Sequence, residues 1–276
     1  MPIGHRNSVP RPERRAARAA AIFVLSVLAR AASARAQDAL PVERWFGELR
    51  TEPSDVVING RDTTWWINRL EVDWRRVEAA DSTDSVYAAG SIQTRGSDTE
   101  GAAIVGADLR RGAWFYSAEL TASPEPTFLP KLGVQGQAGR LFHYTLVSVQ
   151  YRYLDFAATN VHLGTLSVTQ SFPWGEVEGR VALGHNVAED EPIRAGVVRA
   201  LWLASDRWRF GAGGAFGTRL FDVIAVETAD KQGWTVFANA AWQIDPRGAI
   251  RLDWSYSREG DGFRQIGGAL SYRRSF

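Results

Sequence analysis

The chain contains no cysteine, which removes thiolate nucleophiles and thiolate metal sites and leaves histidines and carboxylates as the candidates for chemistry. Beyond residue 36 there are three histidines: His143, His162 and His185. His162 and His185 flank the sequence Phe172-Pro-Trp-Gly175. A two-residue turn at Pro173-Trp174 would fold the flanking segments into a hairpin and set His162 directly opposite His185. Paired imidazoles can hold a metal, or can serve a lipid hydrolase if a nucleophile and an orienting carboxylate stand within reach. Two imidazoles alone bind a metal weakly, and the neighbour expected on the preceding strand is Tyr153, not a serine. The pair is therefore expected to be two interfacial rings. Glu176 and Glu178 form a carboxylate pair compatible with glycosidase geometry. Two apart on a strand, and sharing a face with Arg180, they are expected to be part of a solvated wall. No phosphate-binding loop or nucleotide fingerprint appears. No catalytic residue, metal site or cofactor is expected.

These residues sit in segments of roughly ten to fourteen residues that alternate apolar with polar or small side chains, the period of a strand. In Arg69–Arg75, Leu70, Val72 and Trp74 share one face, while Arg69, Glu71, Asp73 and Arg75 share the other. Ile250, Leu252, Trp254 and Tyr256 alternate in the same way with Arg251, Asp253, Ser255 and Ser257. Trp234 and Trp242 bracket Val236, Ala238 and Ala240, and Trp208 to Phe216 repeats the pattern. A helix would scatter these residues around its circumference. The segments exceed ordinary globular strands and match the length of a tilted strand crossing a membrane, with aromatic residues near their ends. The chain carries 11 tryptophans, in keeping with interfacial girdles.

The connections sort by parity. Arg110–Gly112, Phe172–Gly175, Ser205-Asp206 and Asp245–Gly248 are short. Arg95–Gly101, Ser123–Pro130, Ala157–Asn160, Ala188–Pro192, Leu220–Gly233 and Glu259–Gly262 are longer or more acidic. Short turns at one end and long loops at the other are a property of membrane barrels; a sandwich has no reason to keep them apart. Thirteen strands are readable from Trp65 to Ser275. A fourteenth, within Val42–Arg50 or near Val56–Ile58, would bring both termini to the same side; twelve results if two short segments merge. The expected fold is thus all-β: a closed antiparallel up-and-down transmembrane barrel of about fourteen strands.

Five arginines from Arg6 to Arg18 precede an apolar stretch, Ala19–Ala29, and Ala34-Arg35-Ala36 fits a small-x-small cleavage site. Residues 1–36 are read as a cleaved signal peptide, 37–62 as an N-terminal segment able to hold the first strand, and 63–276 as the barrel. Removing the leader changes the balance from 32 basic and 31 acidic residues to 25 and 30. The mature chain is mildly acidic, and nucleic-acid binding loses its compositional support. At the other end Phe276 closes an amphipathic segment with Gly268, Leu270 and Tyr272. A terminal aromatic of this kind resembles the signal read by the barrel-assembly machinery, with Arg274 interrupting the apolar row.

Phe128-Leu-Pro130, Tyr151-Arg-Tyr-Leu-Asp-Phe156 and Thr159-Asn-Val-His-Leu163 together resemble the YaiO-type outer-membrane barrel family, with similar strand spacing from about Leu70 to Gly184. The resemblance implies a bacterial outer-membrane location and carries no reaction or ligand. Its expected partners are outer-membrane lipid and lipopolysaccharide, and the assembly machinery during biogenesis. The lumen-facing candidates are Arg69, Glu71, Asp73, Arg75, Glu119, Arg152, Glu178, Arg180, Arg251 and Asp253, with Arg273. Three functions remain open: a passive pore or binder for small polar solutes or glycans, a structural or interaction barrel with a plugged lumen, and a lipid-modifying enzyme using His162 or His185.

Overall fold

A computed structural model describes residues 42–276, except 80, 125, 189 and 219–231. The expected signal peptide lies outside the described residues, as does most of the Leu220–Gly233 connection. The first seven strands are β1 (Val42–Ile58), β2 (Arg61–Ala79), β3 (Ser82–Arg95), β4 (Asp98–Arg111), β5 (Trp114–Ala122), β6 (Leu132–Phe142) and β7 (Thr145–Asp155). The other seven are β8 (Asn160–Phe172), β9 (Gly175–Asn186), β10 (Glu191–Leu203), β11 (Trp208–Thr218), β12 (Gln232–Asp245), β13 (Gly248–Glu259) and β14 (Phe263–Ser275). Each pairs antiparallel with its sequence neighbour, and β1 pairs with β14 to close the ring. Closure leaves no strand edge facing lipid, where each unsatisfied backbone group would cost several kcal/mol.

β1 runs through both stretches considered for the fourteenth strand. At Glu52-Pro53 its ladder to β14 is interrupted between the Thr51–Leu270 and Ser54–Gly267 pairs. Pro53 has no N–H to donate, and the closing seam accommodates it there.

At the end that holds Val42 and Ser275, the turns at 112–113, 143–144, 173–174 and 246–247 have two residues, and that at 204–207 has four. The opposite end carries the connections 123–131, 156–159, 187–190 and 260–262. One expectation needs correction. Arg95–Gly101 is no long loop: β4 starts at Asp98, and only Gly96-Ser97 makes the turn. The Asn59-Gly60 turn at this end is equally tight, with φ of 49° and 78°. Positive φ at both positions is the geometry that matches strand twist in a two-residue hairpin.

The barrel's two faces differ sharply. Leu70, Val105, Val149, Leu166, Val181 and Leu252 lie on the outer face and are exposed. Among the described residues, charged side chains on that face fall only near strand ends, for example Asp62, Arg76, Asp84, Arg140 and Arg258. Aromatic rings mark the edges of the apolar belt. Trp208 stacks on Trp242 at 5.9 Å, and Phe172 on Trp174 at 5.1 Å, at the terminal end; Trp234 meets Tyr256 at 5.3 Å near the other. Arg274, beyond this belt, donates to the Tyr272 hydroxyl at 3.0 Å.

Candidate functional site: the lumen and its mouth

Strand pairing places the charged residues of different strands on one concave surface. Arg50 of β1 reaches Asp253 of β13 at 2.9 Å, across the intervening β14. Side chains two strands apart converge this way on the inside of a ring, while the opposite faces of the same strands carry Leu49 and Leu252. Asp253 also accepts from Arg251 at 2.6 Å, and Arg50 from its other side pairs with Glu52 at 3.0 Å.

The remaining lumen candidates fall into four groups. Arg69 pairs with Glu71 at 2.6 Å along β2. Asp73 is buried between Arg75, at 3.1 Å, and Arg273, at 3.0 Å, and both guanidinium groups lie over the Phe46 ring. Glu178 is buried between Arg180, at 2.6 Å, and Arg199, with Glu176 3.8 Å from Arg199. Buried charges are costly unless paired; here carboxylates are clasped by forked guanidinium donors. Glu119 and Arg152 stand in one cross-strand row with Gln135 between them. Glu119 accepts from the Tyr87 hydroxyl at 2.7 Å, and Arg152 donates to the Gln135 amide oxygen at 2.8 Å. Tyr87 reaches Glu119 by lying over Gly106, where a Cβ would overlap its ring.

The loop end narrows in a way that strand periodicity does not encode. Glu100, inward-facing near the start of β4, accepts backbone N–H groups of Thr127, Phe128 and Leu129 at 2.5, 3.0 and 2.9 Å. The loop 123–131 is thereby turned into the mouth, with Phe128 and Leu129 only 8% and 6% exposed. The Arg95 guanidinium lies 4.4 Å from both the Trp65 and Phe128 ring centroids. Trp65 continues into an apolar cluster with Val56 and Phe263. A second inner cluster, Phe156, Val161 and Ile193, lines the mouth from β7 to β10. Sequence periodicity could not show this, because the loop's backbone N–H groups are held by a side chain 27 to 29 residues earlier in the chain.

The histidines are where the turn chemistry put them. β8 and β9 pair His162 with His185 across the Pro173-Trp174 turn. They lie on the outer face with Leu166, Val168, Val177, Val181 and Leu183, while Thr169, Ser171, Glu176, Glu178 and Arg180 take the inner face. Tyr153 is the cross-strand neighbour of His162, their rings 5.1 Å apart, and the Tyr151 hydroxyl is 2.7 Å from His162 Nδ1. His185 Nε2 is 3.4 Å from Asp190. Neither imidazole has a serine or threonine hydroxyl among these partners. His143 occupies the β6–β7 turn with φ of 57°.

A closed fourteen-strand barrel with an apolar outer belt, aromatic girdles and a charged interior defines an integral β-barrel protein of the bacterial outer membrane. Among the most similar solved structures, Omp33 of Acinetobacter baumannii is 14% identical, with a TM-score of 0.49, over 84% of this chain and 99% of its own. An anion-selective porin from Comamonas acidovorans is 9% identical, with a TM-score of 0.49, over 86% of this chain and 100% of its own. The translocator domain of the autotransporter NalP from Neisseria meningitidis is 10% identical, with a TM-score of 0.45, over 94% and 98%. No protein-family model and no curated protein matches the chain.

Proposed function

We propose that this barrel is a narrow passive pore of the YaiO type for small polar solutes, without enzymatic activity. The observation that carries the reading is the lumen wall. Its charges are locked into pairs such as Arg50–Asp253, Arg69–Glu71 and Arg75–Asp73–Arg273, while a space of about 410 Å³ stays open beside the Arg50–Asp253 pair. Paired charges present donors and acceptors to a passing solute without a strong net field for either ion sign. The hydroxyl beside His162 is the Tyr151 phenol, and no serine or threonine is among the described contacts of His162 or His185, which favours the non-enzymatic part.

Glu100's hold on loop 123–131 favours a second reading, in which the barrel is a plugged scaffold presenting its outer loops. Planar-bilayer recording separates the two. Small, weakly ion-selective conductance steps support the pore; a silent wild-type barrel that stays silent after removal of residues 124–130 refutes it.

A further inference from the structure

We infer that the lumen holds a binding subsite for a neutral saccharide, built on β11, β12 and β13 and bounded by arginine–carboxylate pairs. The inference rests on the pore reading, and it names the solute class and the residues that select it.

The subsite's shape begins with two glycines. Gly211 and Gly213 lie on the inner face of β11, paired with Asn239 and Phe237 of β12. A Cβ at Gly213 would stand 2.5 Å from the Phe237 ring, and one at Gly211 would stand 2.6 Å from the Asn239 amide. Without those methyl groups both side chains lie against the wall, and the space above them stays open. It has a volume of about 410 Å³, within the range of roughly 300–1,000 Å³ common for small-molecule sites.

Residues from nearly opposite walls bound this space: Arg50 and Glu52 from β1, and Arg199 and Glu176 from β10 and β9. Arg251 and Asp253 of β13 stand between. Three guanidinium groups thus face three carboxylates, and each is in an ion pair. An anionic or zwitterionic solute would have to break those pairs to gain a partner. A polyol need not: its vicinal hydroxyls donate to carboxylate lone pairs and accept from adjacent guanidinium N–H groups. The Asn239 amide offers one more donor and acceptor. The negative face of the Phe237 ring suits the polarised C–H bonds on one side of a pyranose. Aromatic face, amide and paired charges together fit an uncharged sugar of one or two rings.

The test uses the full barrel refolded in detergent, with maltose, glucuronate and glycylglycine as probes, followed by calorimetry and by current block in bilayers. Maltose should bind at least several-fold more tightly than glucuronate or glycylglycine. Phe237→Ala and Asn239→Ala should each weaken maltose by about fivefold to tenfold, equivalent to about 1–1.4 kcal/mol. Gly211→Ala should do the same by displacing the Asn239 amide, the group its Cβ would meet, with heat-modifiable mobility on gels confirming that each variant folds. The inference is overturned if maltose does not bind, if these variants leave its affinity unchanged, or if glucuronate or glycylglycine binds more tightly. Conductance without maltose binding would leave the pore standing and remove the subsite. Maltose binding that obeys the variants in a barrel without conductance would do the reverse.

Discussion

Replacing Glu100 with alanine should loosen the mouth. The carboxylate accepts three backbone N–H groups, from Thr127, Phe128 and Leu129, and alanine leaves all three without that partner. Hydrogen bonds to a charged group contribute about 1.5–3 kcal/mol each where water is excluded. At a wet rim, where freed amides can turn to solvent, the sum falls to about 2–3 kcal/mol. Burial of Phe128 and Leu129, at about 1.5–3 kcal/mol each, continues to favour the closed loop. The loop should therefore stay mostly closed but open about thirtyfold to a hundredfold more often, since 1.4 kcal/mol is a factor of ten. The chain has no cysteine, so Leu129→Cys gives a single reporter whose modification by a water-soluble thiol reagent follows opening. The rate should rise by at least tenfold when Glu100→Ala is added, and by less with Glu100→Gln, whose amide oxygen still accepts. Equal rates in the two backgrounds would refute the latch.

Other perturbations test other parts of the barrel. Gly106→Val drives a side chain into the Tyr87 ring and should cost about 1–3 kcal/mol as overpacking, read as a lower urea midpoint for folding into vesicles. Val181→Arg, near the middle of β9's outer face and 56% exposed, should cost about 2–4 kcal/mol in the same assay; an unchanged midpoint would mean that this face does not meet hydrocarbon. Alanine at both His162 and His185 should leave the phospholipid and lipopolysaccharide profile of the outer membrane as it is, and an altered profile would bring back the hydrolase reading.

Much of the barrel was legible because one face of each strand meets lipid and therefore repeats with period two. The Pro173-Trp174 turn even fixed the register that pairs His162 with His185, since a two-residue hairpin leaves no freedom to slide. Reading weakened where neither face is apolar. Around Thr99-Glu100-Gly101 the strand emerges from the membrane, both faces are polar or small, and the segment resembles a loop although it belongs to β4. Glu52-Pro53-Ser54-Asp55 hides the middle of β1 for the same reason, with Pro53 adding a residue that rarely sits inside a sheet. The inner charges could be assigned to a face but not to partners, because Arg50–Asp253 and Asp73–Arg273 join strands from opposite ends of the chain. Glu100's grip on three amides depends on how a nine-residue connection folds back, and no periodicity encodes that.

The most direct test is a cysteine scan of β12 from Trp234 to Trp242 in lipid vesicles, reading each position with a membrane-impermeant thiol reagent and with a lipid-borne fluorescence quencher. Phe237, Asn239 and Ala241 positions should react from water and escape the quencher, whereas Val236, Ala238 and Ala240 should resist the reagent and be quenched. Reactivity that runs evenly through consecutive positions, or quenching on both faces, would contradict a strand with lipid on one side and an aqueous lumen on the other.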